Sequence, residues 1–222
     1  MINRACCTIY ILFLLLFPAL FFCFCGINTA GGFETTNGVR VTVCADNLRG
    51  KATPGSQIII CDSSFISHDL SLNSYFGTVY ADQNGDFKFN SLRNGRYNLV
   101  ARSEDLKKGA VITNIDIDKL NLLERSEYVE FLGLGSISGE VVHDTTTGQP
   151  CIVYIKGMAI FDSAYTNNYR LPNVPPGKYR IQAYQKITRG VQTLIYSASM
   201  DNVVLMESCN ETGINMVLEL IE

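Results

Sequence analysis

The chain of 222 residues has no tryptophan and only two histidines, His68 and His143. The missing tryptophan removes the side chain best suited to stacking on a sugar ring. Neither histidine stands near a Gly-x-Ser-x-Gly element, which occurs nowhere in the chain, so a Ser-His-Asp hydrolase has little to assemble from. His-x-x-His and His-Glu-x-x-His are absent too, and with them the usual zinc-hydrolase signatures. No run of like charges occurs, and the formal net charge is -3. A nucleic-acid partner needs a basic patch that this chain does not offer. Lys107-Lys108 is the one adjacent basic pair, and a solvated loop accounts for it.

Charge is also missing from residues 5–33, where residues 9–24 are dominated by Ile, Leu and Phe behind a single Arg4. A positive start followed by an apolar stretch is the pattern of an export signal. The apolar part is at the short end of the roughly 20 residues a membrane-spanning helix needs, and no basic stop-transfer cluster follows it. Cys25-Gly26, directly after the run, resembles the lipid-attachment cysteine of bacterial lipoproteins. Residues 26–37 then read as a flexible tether. Cleavage after Ala30 and an uncleaved anchor are the alternatives. On each reading the protein is exported; the lipid anchor or an uncleaved signal segment keeps it in the cell envelope with the membrane as a partner, whereas cleavage after Ala30 sets it free. Loss of Arg4 from the 18 basic residues leaves 17 against 21 acidic ones, a net charge near -4.

What is present in abundance is alternation, and one phrase of it occurs twice. Asn84-Gly85-Asp86-Phe87-Lys88-Phe89, then Leu92, Gly95, Tyr97, Leu99 and Ala101, is answered 82 residues later by Asn167-Asn168-Tyr169-Arg170-Leu171, then Val174, Gly177, Tyr179, Ile181 and Ala183. Each copy reads as a short strand, a turn closed by Gly, and a second strand. Buried aromatics are expected at Phe87, Tyr97, Tyr169 and Tyr179, and special backbone angles at the glycines. Strands are expected at residues 38–45, 57–61, 75–81 and 110–117. Residues 47–55, with Gly50, Pro54 and Gly55, read as a loop. Ile58-Ile59-Ile60 has the run expected of a strand buried on both faces. Residues 120–124 read as a turn of helix, and residues 127–134 and 214–220 as the closing strand of each copy. The second copy is expected to run through residues 137–142, 151–155, 168–171, 178–184 and 191–199. The fold class is all-β: two tandem antiparallel β-sandwiches after a signal segment at 1–25 and a tether at 26–37, spanning residues 38–134 and 135–222.

Gly139-Glu140-Val141-Val142, Gly148-Gln149-Pro150, Tyr169-Arg170-Leu171 and Val174-Pro175-Pro176-Gly177-Lys178-Tyr179 resemble the carboxypeptidase-regulatory-like family. The first copy fits in Asp82 to Phe87 and Leu92 to Tyr97 but lacks the opening Gly-x-Val. The resemblance implies a transthyretin-like, Greek-key sandwich and a non-catalytic accessory module. Of the eight cysteines, four follow the tether. The tandem layout pairs Cys44 with Cys61 and Cys151 with Cys209, one disulfide per domain, against the alternative of free buried thiols.

No catalytic residue, metal ligand or cofactor is expected. Asp82, Asn84 and Asp86 alternate like calcium ligands, but Gly falls at the fourth position of that loop and no Glu at the twelfth, so a self-satisfied turn is the reading. Asp116 and Asp118 could suggest a glycosidase pair, but such pairs are common in exported β domains and predict nothing by themselves. Lys51 and Lys156 are the amines a Lys-to-Asn cross-link would use, with solvated lysines as the alternative. Tyr75, Tyr80, Tyr154, Tyr165 and Tyr196 are the candidates for an aromatic strip. The function expected is a non-catalytic envelope protein in a structural or adhesive role, its partner an unidentified protein or glycan. The alternative is a carbohydrate-binding accessory protein. Specific function is expected in the segments the copies do not share, residues 62–74 and 184–210.

Overall fold

A computed structural model describes residues 37–44, 47–66, 76–118 and 125–221. The signal segment, residues 26–36 of the tether, Cys25, Ala30, residues 67–74 of the expected functional segment 62–74 with His68, Tyr75 and the expected helical turn at 120–124 lie outside the described residues. The chain divides into two compact units, Met1–Glu34 and Thr35–Glu222. The second unit is all-β, built of sheets packed face to face whose pairings are antiparallel except for two short C-terminal strands that run parallel to their neighbour.

Its N-terminal sheet pair comprises β1 (Gly38–Cys44), β2 (Asn47–Ala52), β3 (Gln57–Asp62), β4 (Phe76–Tyr80), β5 (Asp86–Phe89), β6 (Gly95–Arg102), β7 (Lys108–Ile117), β8 (Arg125–Glu130) and β9 (Leu132–Gly133). They form sheets of order β5-β2-β1-β8 and β4-β3-β6-β7-β9. Val39, Val41, Leu48, Ile58, Ile60, Phe87, Leu92, Tyr97 and Leu99 meet between them in one core. The alternation of these strands places one apolar row inward, which is the condition for a sheet to bury a face.

The C-terminal pair comprises β10 (Gly135–Val142), β11 (Cys151–Ile155), β12 (Phe161–Ala164), β13 (Asn168–Val174), β14 (Gly177–Arg189), β15 (Gln192–Leu205), β16 (Asn210–Glu211), β17 (Met216–Val217) and β18 (Glu219–Leu220). One sheet runs β13-β10-β16 with β17 also on β10, the other β12-β11-β14-β15-β18. Ile137, Val141, Val153, Ile155, Tyr169, Leu171, Tyr179 and Ile181 fill the second core.

The repeated phrase occupies equivalent places in the two pairs. All twelve of its apolar slots from Phe87 to Ala101 and from Tyr169 to Ala183 are buried. Tyr97 donates its hydroxyl to the Arg93 carbonyl at 3.0 Å, and Tyr179 donates to the Pro175 carbonyl at 2.5 Å. Each is a tyrosine corner, four residues back along the chain. The ladder β6-β7 slips between Tyr97 and Leu99, and β14-β15 slips between Tyr179 and Ile181. Opposite each slip an asparagine, Asn114 or Asn202, takes a positive φ of 61° or 63°. Both are β-bulges that bend the hairpin over the core.

Three expectations are corrected. Residues 47–52 are a strand, β2, because Leu48 and Ala52 are inward and Gly50 lies opposite Phe87 in the ladder. Gly139 lies opposite Tyr169 in the same way, so Gly50 is the counterpart of Gly139 and the first copy does carry the opening glycine. A Cβ at Gly50 would strike the Arg40 carbonyl, and one at Gly139 the Ile214 carbonyl. These glycines admit a neighbouring backbone. Gly95 and Gly177 do not adopt positive φ; they start strands, and a Cβ at Gly177 would crowd the Tyr179 hydroxyl. Gly85 does have φ of 78°, as its turn requires. Finally, residues 214–220 do not form one closing strand. They divide into β17 on β10 and β18 on β15, and residues 127–134 divide likewise, into the end of β8 on β1 and β9 on β7.

Candidate functional site

The outward faces of the two equivalent sheets, β4-β3-β6-β7-β9 and β12-β11-β14-β15-β18, have different uses. In the first, Ile59, Val100 and Val111 form one row across β3, β6 and β7. Val100 joins the core of the C-terminal pair, with Val111 packed against it, while Ile59, Cys61 and Phe65 gather against Ala159. This explains why β3 and β6 are buried on both faces, as the Ile58-Ile59-Ile60 run requires. Hydrogen bonds edge the seam. Asn98 Nδ2 donates to the Gly157 carbonyl at 3.1 Å, its Oδ1 accepts from Asn114 N–H at 3.1 Å, and Gly157 N–H reaches the Phe65 carbonyl at 2.9 Å. Arg102 Nε donates to the Asn173 carbonyl at 3.1 Å. Burial there lowers the Arg102 pKa, partly offset by Tyr179. Gly133 N–H donates to Glu207 Oε1 at 2.9 Å.

In the second sheet the corresponding row is Tyr154, Gln182 and Ser199, paired across β11, β14 and β15. The next row is Ile152, Tyr184, Ser197 and Glu219. Inward neighbours Ile181 and Ala183 belong to the core, so Arg180, Gln182 and Tyr184 project from the other face. Together they line a groove of about 580 Å³ that runs from Tyr154 past β15 to the C-terminal segment at Asn215, Met216 and Glu219. The Tyr154 hydroxyl donates to Gln182 Oε1 at 3.0 Å. The Tyr154 and Tyr184 rings meet edge to face, 6.0 Å between centroids at 78°. Burial raises the Tyr154 hydroxyl to about 12, with Tyr184 adding to it and Arg180 opposing. It is therefore a fixed donor at neutral pH. Arg180 Nε holds Asp201 Oδ1 at 3.0 Å, and its Nη2 reaches Ser199 Oγ at 3.5 Å.

The residues singled out in the sequence are scattered by the fold. Tyr80 is exposed on β4, where it meets Gln57 at 3.3 Å, and Tyr165 is exposed beyond β12. Tyr196 lines a separate small cavity of about 240 Å³ with His143, Asp144 and Gln185. Among the described residues of the expected strip, only Tyr154 belongs to the groove. His143 Nδ1 lies 3.0 Å from the Val141 carbonyl of its own strand. Asp144 caps the 3-10 turn Thr145–Thr147. The Thr146 hydroxyl and N–H, with Arg189 nearby, keep its pKa low against some desolvation. Asp82 Oδ1 accepts from Asn84 N–H at 2.8 Å and Asp86 N–H at 2.9 Å, the self-satisfied turn. Asp116 is paired with Arg96 at 3.0 Å. Lys51 faces Asp86 at 3.6 Å, and Lys156 is exposed. Among the described residues, no group of three or more His, Cys, Asp or Glu is arranged for a metal ion, and no helix is long and apolar enough to cross a membrane.

Of the two readings of the cysteines, the described residues follow the free-thiol one: Cys61, Cys151 and Cys209 are unbridged. Cys61 faces the seam and Cys151 the second core, and burial pushes each up to about 12. Cys209 is exposed in the turn before β16. The Cys44 side chain lies outside the described residues.

Tyr184 and Ser199 lie in the expected segment 184–210 without having been singled out, and Arg180 and Gln182 lie before it. Their signal was in the repeat, where the 82-residue offset sets Arg180 on Asn98, Gln182 on Val100 and Tyr184 on Arg102. The copies agree in character at the inward slots 97, 99 and 101 against 179, 181 and 183, and differ at the outward slots 98, 100 and 102 against 180, 182 and 184.

Fold and groove define an all-β protein of packed, mainly antiparallel sheets that displays a tyrosine- and amide-lined face. No family model and no curated protein matches the chain. Among solved structures it is similar to GBS52, the minor pilin of the Gram-positive pathogen Streptococcus agalactiae, at 13% identity and a TM-score of 0.30, over 78% of this chain and 86% of that one.

Proposed function

We propose that the protein is an exported, non-catalytic component of the cell envelope with a structural or adhesive role. On this reading it is built from two tandem carboxypeptidase-regulatory-like sandwiches, residues 38–134 and 135–222, and tethered through Cys25 or its signal segment. The observation that carries it is the seam. An apolar row on β3, β6 and β7 and the buried Asn98 bond to Gly157 join the two sheet pairs, an arrangement suited to a stiff structural module. The groups that would do hydrolytic work support the same reading, since Asp116 is engaged by Arg96 and Asp144 by Thr146 and Arg189. The transthyretin-like assignment draws on the corner tyrosines Tyr97 and Tyr179 and the paired glycines Gly50 and Gly139.

Mass spectrometry of the N-terminus, with protease shaving of intact cells, tests it. Acylation at Cys25 and removal by external protease are the expected results. An unprocessed chain in the cytoplasm overturns the reading, and a start at Gly31 replaces the lipid anchor with secretion. The second reading, a carbohydrate-binding accessory protein, is favoured by the row Tyr154, Gln182, Ser199.

A further inference from the structure

We infer that the groove on the outward face of β11, β14 and β15 is a binding site for a neutral saccharide, recognised by Gln182, Tyr184, Arg180 and the hydroxyls of Ser197 and Ser199. The inference rests on the reading that the protein acts outside the cell, where such polymers are met. Its first support is the contrast between equivalent rows. The row that meets protein is Ile59, Val100 and Val111; the row in the groove replaces all three with hydrogen-bonding side chains. A face meant to bury against another sandwich keeps apolar residues at its centre. This one has an amide there.

The second support is preorganisation. Tyr154, itself 4% exposed, fixes the Gln182 carbonyl oxygen by a 3.0 Å hydrogen bond, so the amide N–H groups of Gln182 hold one orientation. Arg180 is likewise held by Asp201. Fixed planar donors and acceptors match vicinal sugar hydroxyls, each of which both gives and accepts a hydrogen bond, and the Tyr184 ring supplies an apolar plane for the C–H face of a pyranose. At about 580 Å³, the groove lies within the roughly 300–1,000 Å³ of ordinary ligand sites. Charge selects the class. Arg180 is neutralised by Asp201, and Glu219 adds a further carboxylate on the wall, so acidic polymers are repelled while uncharged ones are not.

The absence of tryptophan from the chain makes a clean reporter. Ser199→Trp places the sole indole in the groove, and Tyr80→Trp places it on the exposed β4 as control. Each is titrated with maltohexaose, cellohexaose, xylohexaose and chitohexaose, and with polygalacturonate as the acidic probe. The wild-type protein is run in affinity electrophoresis against the parent polysaccharides, so that occlusion by the new indole does not decide the result. We expect saturable binding of at least one neutral probe, at least tenfold weaker in Gln182→Ala, at least tenfold weaker for polygalacturonate, and without response in Tyr80→Trp. Failure of all four neutral probes in both assays overturns the site, as does binding unchanged in Gln182→Ala or shared equally by the control. A protein shaved from the cell surface that binds none of the probes refutes the site and leaves the surface role. A cytoplasmic protein that binds them refutes the role and leaves the site.

Discussion

Strands β6 and β14 are the same strand written twice, and they differ only on one face. Leu99 and Ala101 correspond to Ile181 and Ala183, each pair buried in its own core, with a corner tyrosine before it and a bulge opposite. Outward, Asn98, Val100 and Arg102 meet protein in the first copy, while Arg180, Gln182 and Tyr184 line a groove in the second. Inward residues therefore carry the fold, and outward residues carry what each copy does with its free face. The bulge makes the point at a single slot. Asn98 uses both ends of its amide inside the seam; Arg180, in the equivalent position, pairs at the surface with Asp201.

The strongest blow to that equivalence is at the paired glycines. Gly50→Val and Gly139→Val each drive a side chain into a neighbouring backbone carbonyl, of Arg40 and Ile214 respectively, which no rotamer change relieves. A loss of about 4 kcal/mol or more is expected for each in chemical denaturation. If only one of the pair is damaging, the two strands are not counterparts. Next comes the pair Val100→Asp and Gln182→Asp. The first buries an unpaired carboxylate in the second core and should cost about 3 kcal/mol. The second enters a solvated groove but takes the acceptor from the buried Tyr154 hydroxyl, so about 1 kcal/mol is expected. Equal effects would erase the distinction between seam and groove.

Asn98→Ala should cost about 2 kcal/mol, because it strands the Gly157 carbonyl and the Asn114 N–H in the seam. Arg180→Ala removes one exposed ion pair and should cost less than about 1 kcal/mol. The buried thiols give a pH test. Cys61 and Cys151 are raised from 9.0 to about 12, so the folded protein holds these protons more tightly than the unfolded chain does. Their contribution is intact below pH 9 and is lost as pH rises from 9 to about 12, at about 1.4 kcal/mol per pH unit for each thiol. Denaturation at pH 8 and pH 10 should show that fall, and Cys61→Ala should remove the seam's share while leaving that of Cys151. Ellman's reagent should meanwhile find Cys209 at once and the other two only on unfolding.

How much of the fold was legible depended on which face of a strand a residue occupies. Phe87, Tyr97, Tyr169 and Tyr179 could be placed in cores because period-two alternation and a fixed offset both point there. Strand β2 could not, since Gly50, Pro54 and Gly55 resemble a loop until Gly50 is set against Phe87. The offset also changes from 82 to 89 at this strand, as Gly50 to Gly139 shows, and that hid the first copy's opening glycine. Strand β12 carried no signal, being four residues with one buried side chain. The groove was half visible. Tyr154 could be named, but Gln182 and Ser199 are ordinary polar residues whose meaning comes from being neighbours across two ladders. The state of the cysteines was open for a related reason: an even count says nothing about whether their strands face each other.

The smallest test is also the most symmetrical. Tyr97→Phe and Tyr179→Phe each delete one hydroxyl and leave the ring in its core. Each frees one backbone carbonyl, of Arg93 or Pro175, so about 1 kcal/mol is expected from either. The environments are not identical, since Tyr179 lies near the Arg102 guanidinium, which opposes part of the pKa rise that burial causes. Removing its hydroxyl therefore touches the seam as well as the corner. In a double-mutant cycle with Arg102→Ala, Tyr179→Phe should show a coupling above about 0.5 kcal/mol. Tyr97→Phe should show none beyond error, although residue 97 is on the same strand as residue 102. Equal coupling at both corners would mean that the seam is sensed through β6 as a whole and not through its outward face.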